Sequence, residues 1–274
     1  MVSLAAQGLC FDYPGPLRAV DGLDLSLAPG ELVAVLGPNG SGKTTLLRLL
    51  AGLLAPTAGR IALDGRPLDS LGHRARACVV AVMPQHLPPN LDVRVEHFVL
   101  GGRYARISRW TGATPDDRKA VAQALADADV ADLSTRRMSE LSGGQQQRVL
   151  VARAVAQQTD VLLVDEPTTA LDPEHQVAVF ELLARLAARG CATLVVTHDL
   201  NLASQFATRL VLMDGGRRVA EGDVESVLRP DVLGPVYGER LHYGRLPDAG
   251  GAGGRPFVLP CRGPTGAPVD GPGS

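Results

Sequence analysis

Residues 37–44 read Gly-Pro-Asn-Gly-Ser-Gly-Lys-Thr, a G-x-x-x-x-G-K-T stretch that admits few folds. Before it, Leu32 to Leu36 is a short unbroken apolar run with the character of a buried strand. After it, Thr44 to Leu54 places Leu46, Leu47, Leu50 and Leu54 on one helical face. Strand, glycine-rich loop and helix in that order turn successive backbone N–H groups into one concavity and bring up the positive end of a helix dipole. Oxygen anions fit such a nest. In its phosphate-binding form, Gly37, Pro38, Asn39, Gly40, Ser41 and Gly42 make the cradle. Lys43 then sets a point charge against the β- and γ-phosphates, and the Thr44 hydroxyl ligates Mg2+. The pattern predicts an α/β protein with a nucleotide-phosphate site.

Lys43 stands out for a second reason. Of the 27 basic residues only Lys43 and Lys119 are lysine; the rest are arginine. A codon bias toward arginine explains the background. A compact ammonium that arginine cannot mimic explains the exception at Lys43, whereas Lys119 has no such account. The 29 acidic residues bring the formal net charge to -2, which argues against a dedicated nucleic-acid binder. At 274 residues and 45% hydrophobic, the chain can bury a core without disulfide or metal staples. Its longest apolar run, Ala77 to Met83, falls far short of the roughly 20 residues a membrane-crossing helix needs. The N-terminal MVSLAAQGLC lacks the charged start and apolar core of a secretory signal. Cys10, Cys78, Cys191 and Cys261 show no metal-type spacing, so reduced cytosolic thiols are expected.

Along the chain, Gly8 to Tyr13 and Leu23 to Leu27 read as antiparallel strands punctuated by Pro and Gly. Val79 to Met83 is a further buried-strand candidate. From about Pro88 to Gln158 the pattern turns helical, with an alanine-rich Ala120 to Ala128 and a regular Gln145 to Ala156. Strand signals return at Val161 to Val164, Thr193 to Thr197 and Leu210 to Met213. Between the first two, Asp172 caps a helix, Pro173 suits its first turn and Gly190 closes it. The expected organisation is an α/β core interrupted by a helical insertion, without internal repeat.

Three further features carry chemistry. Val161 to Val164 runs straight into Asp165-Glu166, which sets two acids, expected exposed, at the strand end where α/β sheets bind ligands. Asp165 suits Mg2+, and Glu166 suits orienting and deprotonating an attacking water; a solvated strand end is an equal alternative. His198 follows another strand end; taken alone, such a histidine is more often a satisfied structural group. Leu141-Ser142-Gly143-Gly144-Gln145 has capping-box spacing between Ser142 and Gln145, and its glycines leave a helix N-terminus open to an anion. A well-capped helix accounts for those residues equally well.

Together, in this order and spacing, these residues resemble the ATP-binding cassette family over about Leu4 to Leu246. Gly37 to Thr44 and Val161 to Glu166 match its Walker A and Walker B, Leu141 to Gln145 its signature, and Gln85 its Q-loop. Ala170-Leu171-Asp172 matches the D-loop, His198 the switch histidine, and Tyr13 the aromatic that stacks on adenine. The resemblance implies a P-loop NTPase fold with a RecA-like core, an N-terminal antiparallel β subdomain and a helical insertion subdomain at about 88–158. It also implies ATP and Mg2+ as ligands. ATP would contact Tyr13, the Gly37–Thr44 loop and Thr45; Thr44, Gln85 and Asp165 would hold Mg2+; Glu166, His198 and Gln85 would act in hydrolysis. Two copies would pack head to tail, each ATP lying between the Walker A of one and Leu141, Ser142, Gly143, Gly144 and Gln145 of the other, with Asp172 at the junction.

A stand-alone cassette resembles bacterial importer subunits, whose two transmembrane permeases and substrate-binding protein are separate chains. That places the protein on the cytoplasmic face of the cell membrane, peripheral to it. Asp172-Pro173-Glu174-His175-Gln176, His198 to Ala203, Val236-Tyr237-Gly238 and Gly254 to Pro260 resemble the iron-siderophore, haem and vitamin B12 importers. Val99 to Tyr104 resembles zinc/manganese importers, the principal alternative; a non-transport ATPase acting on DNA or ribosomes is disfavoured by the charge. From Asp248 onward, eight Gly and five Pro in 27 residues suggest disorder. Even so, the resemblance implies a hairpin of Leu241 to Leu246 with Phe257 to Leu259 in a 247–260 extension, leaving 261–274 as a disordered tail.

Overall fold

The computed structural model describes residues 2–15, 18–87, 91–108, 110–246 and 254–261. Most of the Ala249–Gly254 turn and the tail from Arg262 lie outside them. In chain order, strands β1 (Leu4–Asp12), β2 (Arg18–Leu27) and β3 (Leu32–Leu36) lead into helix α1 (Lys43–Leu50). Strands β4 (Ala58–Leu63) and β5 (Arg66–Pro67) precede helix α2 (His73–Val79) and strand β6 (Val80–Met83). Helices α3 (Val95–Leu100), α4 (Pro115–Asp127) and α5 (Gly143–Ala156) follow. Then β7 (Val161–Asp165), α6 (Pro173–Ala188), β8 (Ala192–Val196), α7 (Leu200–Phe206) and β9 (Arg209–Asp214) alternate. The chain continues through β10 (Arg217–Gly222), α8 (Val224–Val227), α9 (Pro230–Tyr237), β11 (Leu241–Arg245) and β12 (Pro256–Pro260).

The central sheet runs β10-β9-β3-β8-β7-β6, parallel throughout except for β10 at its edge. Strands β3, β7 and β8 at its centre are buried on both faces, as unbroken aliphatic runs require. Leu32, Ala34 and Leu36 of β3 point into the core shared with α5, α6 and α7, while Val33 and Val35 point into the core shared with α1. The second core is closed by an antiparallel sheet, β2-β1-β4-β5. Because β3, β6, β7 and β8 are parallel, their carboxyl ends gather on one edge. That edge carries the phosphate-loop sequence, Gln85, the Asp165–Glu166 pair and His198.

Several boundaries differ from expectation. Helix α1 stops at Leu50, because Gly52 takes a left-handed φ of 64° and Leu53 N–H turns back to the Arg48 carbonyl. Leu54 therefore packs on the core from beyond the helix. Val79 ends α2 and does not open β6. Strands β4 and β10 escape a pattern reading, since half or more of each is solvent-facing and neither alternates cleanly.

Between β6 and β7 the helices are held by a buried ion pair. Arg103 Nε lies 2.6 Å from Asp117 Oδ1, and its Nη1 donates to the Ala156 carbonyl at the end of α5. Asp117 also completes a capping box with Thr114 at the start of α4. Backbone and side-chain donation from Thr114, with Arg103 alongside, holds its carboxyl at a pKa of about 2.

Candidate active site

The phosphate loop joins β3 to α1. Its glycines are required by contact as well as by backbone: a Cβ on Gly42, φ 98°, would meet the Ala19 carbonyl oxygen at 2.1 Å, and one on Gly37 would meet the Met213 carbonyl oxygen at 2.2 Å. The Lys43 ammonium folds into the loop and donates to the Gly37 and Pro38 carbonyls, both at 2.8 Å. Burial pushes its pKa down, opposed by the nearby Glu166 and Asp165. The Ser41 hydroxyl is buried in the same loop and lacks a hydrogen-bond partner.

One pocket brings together Tyr13, Asn39, Gly40, Gly42, Lys43, Thr44, Thr45, Gln85 and Glu166. Tyr13 sits at its mouth, edge-on to Phe11 and with its hydroxyl 3.3 Å from Thr45 Oγ1. Thr44 Oγ1 lies 3.3 Å from Asp165 Oδ1. That hydroxyl, the carboxylate and the Gln85 amide form a hard oxygen donor set of the kind Mg2+ takes. Burial pushes the Asp165 carboxyl up, so a cation beside it would be stabilised at the point where the lone anion is costly. The residues present fit the ion.

The two acids are not exposed as the sequence reading expected. Asp165 and Glu166 are 3% and 8% exposed, because β8 and α5 close over the strand end. Glu166 takes a left-handed φ of 47°, unusual for a residue with a long side chain. Hydrogen bonds hold it there: its N–H donates to the Val196 carbonyl at 2.9 Å, and its carbonyl accepts from Gln147 Nε2 at 3.1 Å and Thr169 Oγ1 at 3.2 Å. Its carboxylate Oε2 is 2.7 Å from His198 Nδ1, although the His198 side chain is 69% exposed. A water between these groups and a phosphate on the loop would meet an acceptor and a donor together.

The signature residues lie elsewhere. Ser142, Gly143, Gly144 and Gln145 share a second surface pocket with Ala170, Leu171 and Asp172. Ser142 and Gln145 form a complete capping box at the start of α5, while Leu141 is buried beneath. Asp172 caps α6 through His175 N–H and lies 2.6 Å from His175 Nδ1. Gly144 is packed closely enough that a Cβ would come within 3.1 Å of the Ala170 carbonyl oxygen. One chain thus carries two separate pockets. Sequence reasoning missed Gln147, which ties the signature helix to Glu166; its signal was a single polar residue on the otherwise apolar face of α5.

A family model described as ABC transporter matches residues 20–169. The chain belongs to the ABC transporter family. The cassette is 43% identical over 241 residues to the hemin import ATP-binding protein HmuV of Pseudomonas aeruginosa, covering 86% of this chain and 93% of that protein. It is 37% identical to the cobalamin import ATP-binding protein BtuD of Halobacterium salinarum, over 91% of this chain and 62% of that protein. Among solved structures, a transporter described as metal-chelate type, in an inward-facing conformation, superposes with a TM-score of 0.80 at 27% identity. The match covers 95% of this chain and 98% of that one. A dimeric bacterial ABC transporter cassette superposes at 0.72 with 28% identity, over 81% and 98%. The cassette is an ATPase, its fold the P-loop architecture of these relatives.

Proposed function

We propose that this cassette energises a bacterial importer for haem, an iron chelate or vitamin B12, working as a head-to-tail homodimer. The observation that carries the dimer is the separation of the phosphate-loop pocket from the signature pocket on one chain. Neither alone surrounds a nucleotide. A second copy, turned about a two-fold axis, supplies to each loop the uncharged N-terminus of α5 with its free N–H groups. The names of the hemin and cobalamin import relatives support the substrate class, as does the structural match that extends over nearly the whole chain.

In hydrolysis, Tyr13 stacks on the adenine ring and the 37–44 loop with Thr45 binds the phosphates. Lys43 balances charge on the β- and γ-phosphates. Glu166 accepts a proton from the attacking water, and His198, held by Glu166, donates to the γ-phosphate. Thr44, Gln85 and Asp165 would hold Mg2+, which would supply Lewis-acid stabilisation of phosphate oxygens. Ser142 to Gln145 of the second copy close the site, and Gln85 reports its state to the permease. No helix among the described residues is long and apolar enough to cross a membrane. In this reading two permease subunits supply the membrane path, with the cassette on their cytoplasmic side and a substrate-binding protein beyond them.

The Val99 to Tyr104 stretch does not favour a zinc/manganese importer. Its Gly102 is demanded by the Arg153 carbonyl, 2.4 Å from a would-be Cβ, and its Arg103 belongs to the buried ion pair. The test is MgATP hydrolysis by the purified chain, with Glu166→Gln expected to accumulate an ATP-bound dimer on size exclusion. A chain that stays monomeric in MgATP sinks the proposal. Reconstitution with the permease encoded beside it, titrated with hemin, ferric siderophore and cobalamin, selects the substrate.

A further inference from the structure

Three stretches resemble one importer group, and apart from His198 itself they have no role in the chemistry above: His198 to Ala203, Val236 to Gly238 and Gly254 to Pro260. In the fold they meet. Strand β12 pairs antiparallel with β11, Leu241 opposite Pro260 and Arg245 opposite Pro256, and lies along α7. Asn201 on α7 treats β12 as a neighbouring strand would. Its Oδ1 accepts from Val258 N–H at 2.8 Å and its Nδ2 donates to the Val258 carbonyl at 3.1 Å. One turn on, the fully buried Ser204 hydroxyl donates to the Pro256 carbonyl, and Val258 itself is 3% exposed. Helix α9, which packs on β11, reaches the phosphate loop. Tyr237, at the end of α9, buries its hydroxyl beside the Gly37 backbone without a hydrogen bond of good geometry, and burial pushes its pKa up to about 12.

The geometry points to the C-terminal hairpin as a positioning element of the ATP site, acting on His198 through Asn201. The His198 ring is largely exposed and bonded to Glu166, so the backbone from which it projects decides whether it reaches that carboxylate. That backbone leads at once into α7, whose first turn is capped by Asp199 accepting from Asn201 and Leu202 N–H, both at 2.9 Å. Helix α7 has seven residues, too few to hold its own conformation. Asn201 and Ser204 stand three residues apart on one face and peg it to β12 at both positions. Cutting the first peg frees the turn that carries His198.

This inference rests on the proposed role of His198 in hydrolysis. It is tested in the full chain with Asn201→Ala and Asn201→Asp, the latter keeping an acceptor for Val258 N–H while setting a carboxylate against the Val258 carbonyl. Gln205→Ala, which removes only an exposed donor to the Asn201 carbonyl and leaves both bonds to Val258, is the comparison variant. The readouts are kcat and KM for MgATP, the melting temperature, and the His198 ring resonance recorded without nucleotide and assigned by its loss in His198→Gln. We expect Asn201→Ala to lower kcat about 10-fold with KM within about two-fold, since small misplacements of a reacting group act on kcat. The His198 resonance should move while those of His73 and His97 stay, and Asn201→Asp should fall between Asn201→Ala and the parent in both. An unmoved His198 resonance overturns the inference, whether kcat is unchanged or falls only with the melting temperature. The resonance is read without turnover. Hydrolysis surviving in His198→Gln would therefore sink the proposed role of His198 while leaving the positional claim to be judged by the spectrum.

Discussion

The two half-sites of this cassette are built on opposite principles. Around the phosphate loop, unfavourable features are concentrated: a buried carboxyl pushed up, a buried ammonium pushed down, an unpartnered Ser41 hydroxyl and a left-handed Glu166. Around the signature, almost everything is satisfied. Ser142 and Gln145 cap each other's backbone, Asp172 is paired with His175, and no charge is buried. Charges held without water are worth most when a reacting group arrives, which supports the proposal that the first half-site holds the chemistry. The second is a preformed lip whose remaining N–H groups need only meet an anion. What separates the two is unanswered buried polar groups and not backbone strain, since Ala170 beside the signature also takes a left-handed φ of 64°.

The largest effect should fall on Glu166. Glu166→Gln is expected to reduce kcat by about 10^3-fold, the usual scale for losing a positioned general base together with its charge. Its melting temperature should stay at or above that of the parent, since a buried charge is removed. A large fall in stability would break the comparison, because it would make Glu166 a structural residue.

On the signature side the pattern should be reversed in kind. Gly144→Val presses on the Ala170 carbonyl and covers the open end of α5. Hydrolysis should fall about 10^2-fold, as for lost oxyanion-type donors, while nucleotide binding by the monomer, read by equilibrium dialysis, stays unchanged. Mixing this variant with Glu166→Gln sharpens the point. A mixed dimer retains one site with an intact loop and an intact opposing signature only if the two lesions fall on the same composite site. Recovery of hydrolysis on mixing would therefore confirm that each site is shared.

A third buried cluster serves as the control. Arg103 and Asp117 are as buried as the catalytic pair, but each is answered by the other and by backbone. Removing that charge should cost stability, not turnover: about 2 kcal/mol for Asp117→Asn, from the depression of the Asp117 pKa from 3.8 to about 2. A depressed carboxylate stabilises the fold above its unfolded pKa and ceases to do so as the pH falls through the folded one. The difference in unfolding free energy between parent and variant should hold from neutral pH to about pH 4 and close toward about pH 2. Denaturant titration at a series of pH values reads it. A gap that persists at the acid end would show that packing, not the charge, holds α4 to α5.

How much of this was legible in the chain follows from which interactions are local. The loop at Gly37 to Thr44 could be placed because strand, turn and helix lie within about two dozen residues, although the contacts that demand Gly37 and Gly42 come from the distant Met213 and Ala19. The Ser142–Gln145 box and the Asp172 cap were readable for the same reason. Burial of Asp165 and Glu166 was not, since the groups that cover them come from Val196 and Gln147, which only the folded sheet brings near. Strands β4 and β10 were hidden because an edge or solvent-facing strand need not alternate. The bond between Asn201 and Val258 spans 57 residues and uses main-chain atoms, which leave no mark on residue type.

The smallest expected effect tests the bridge between the half-sites. Gln147 lies on the signature helix yet donates to the carbonyl of Glu166 in the same chain; in the proposed dimer, the lip that meets one nucleotide would then be bonded to the base that acts on the other. Gln147→Met keeps the length and burial and removes the donor; Thr169 still holds the Glu166 carbonyl at 3.2 Å, which limits the damage. We expect kcat to fall about 10-fold with little change in KM or melting temperature, a loss confined to the transition state. Gln147→Glu, which turns a carboxylate oxygen toward that carbonyl, should be worse than Gln147→Met. If the two variants are equal, the glutamine merely fills space, and the half-sites are mechanically independent. If the order holds, the relaxed lip and the strained base are one hydrogen bond apart, and closing either site alters the geometry of its neighbour.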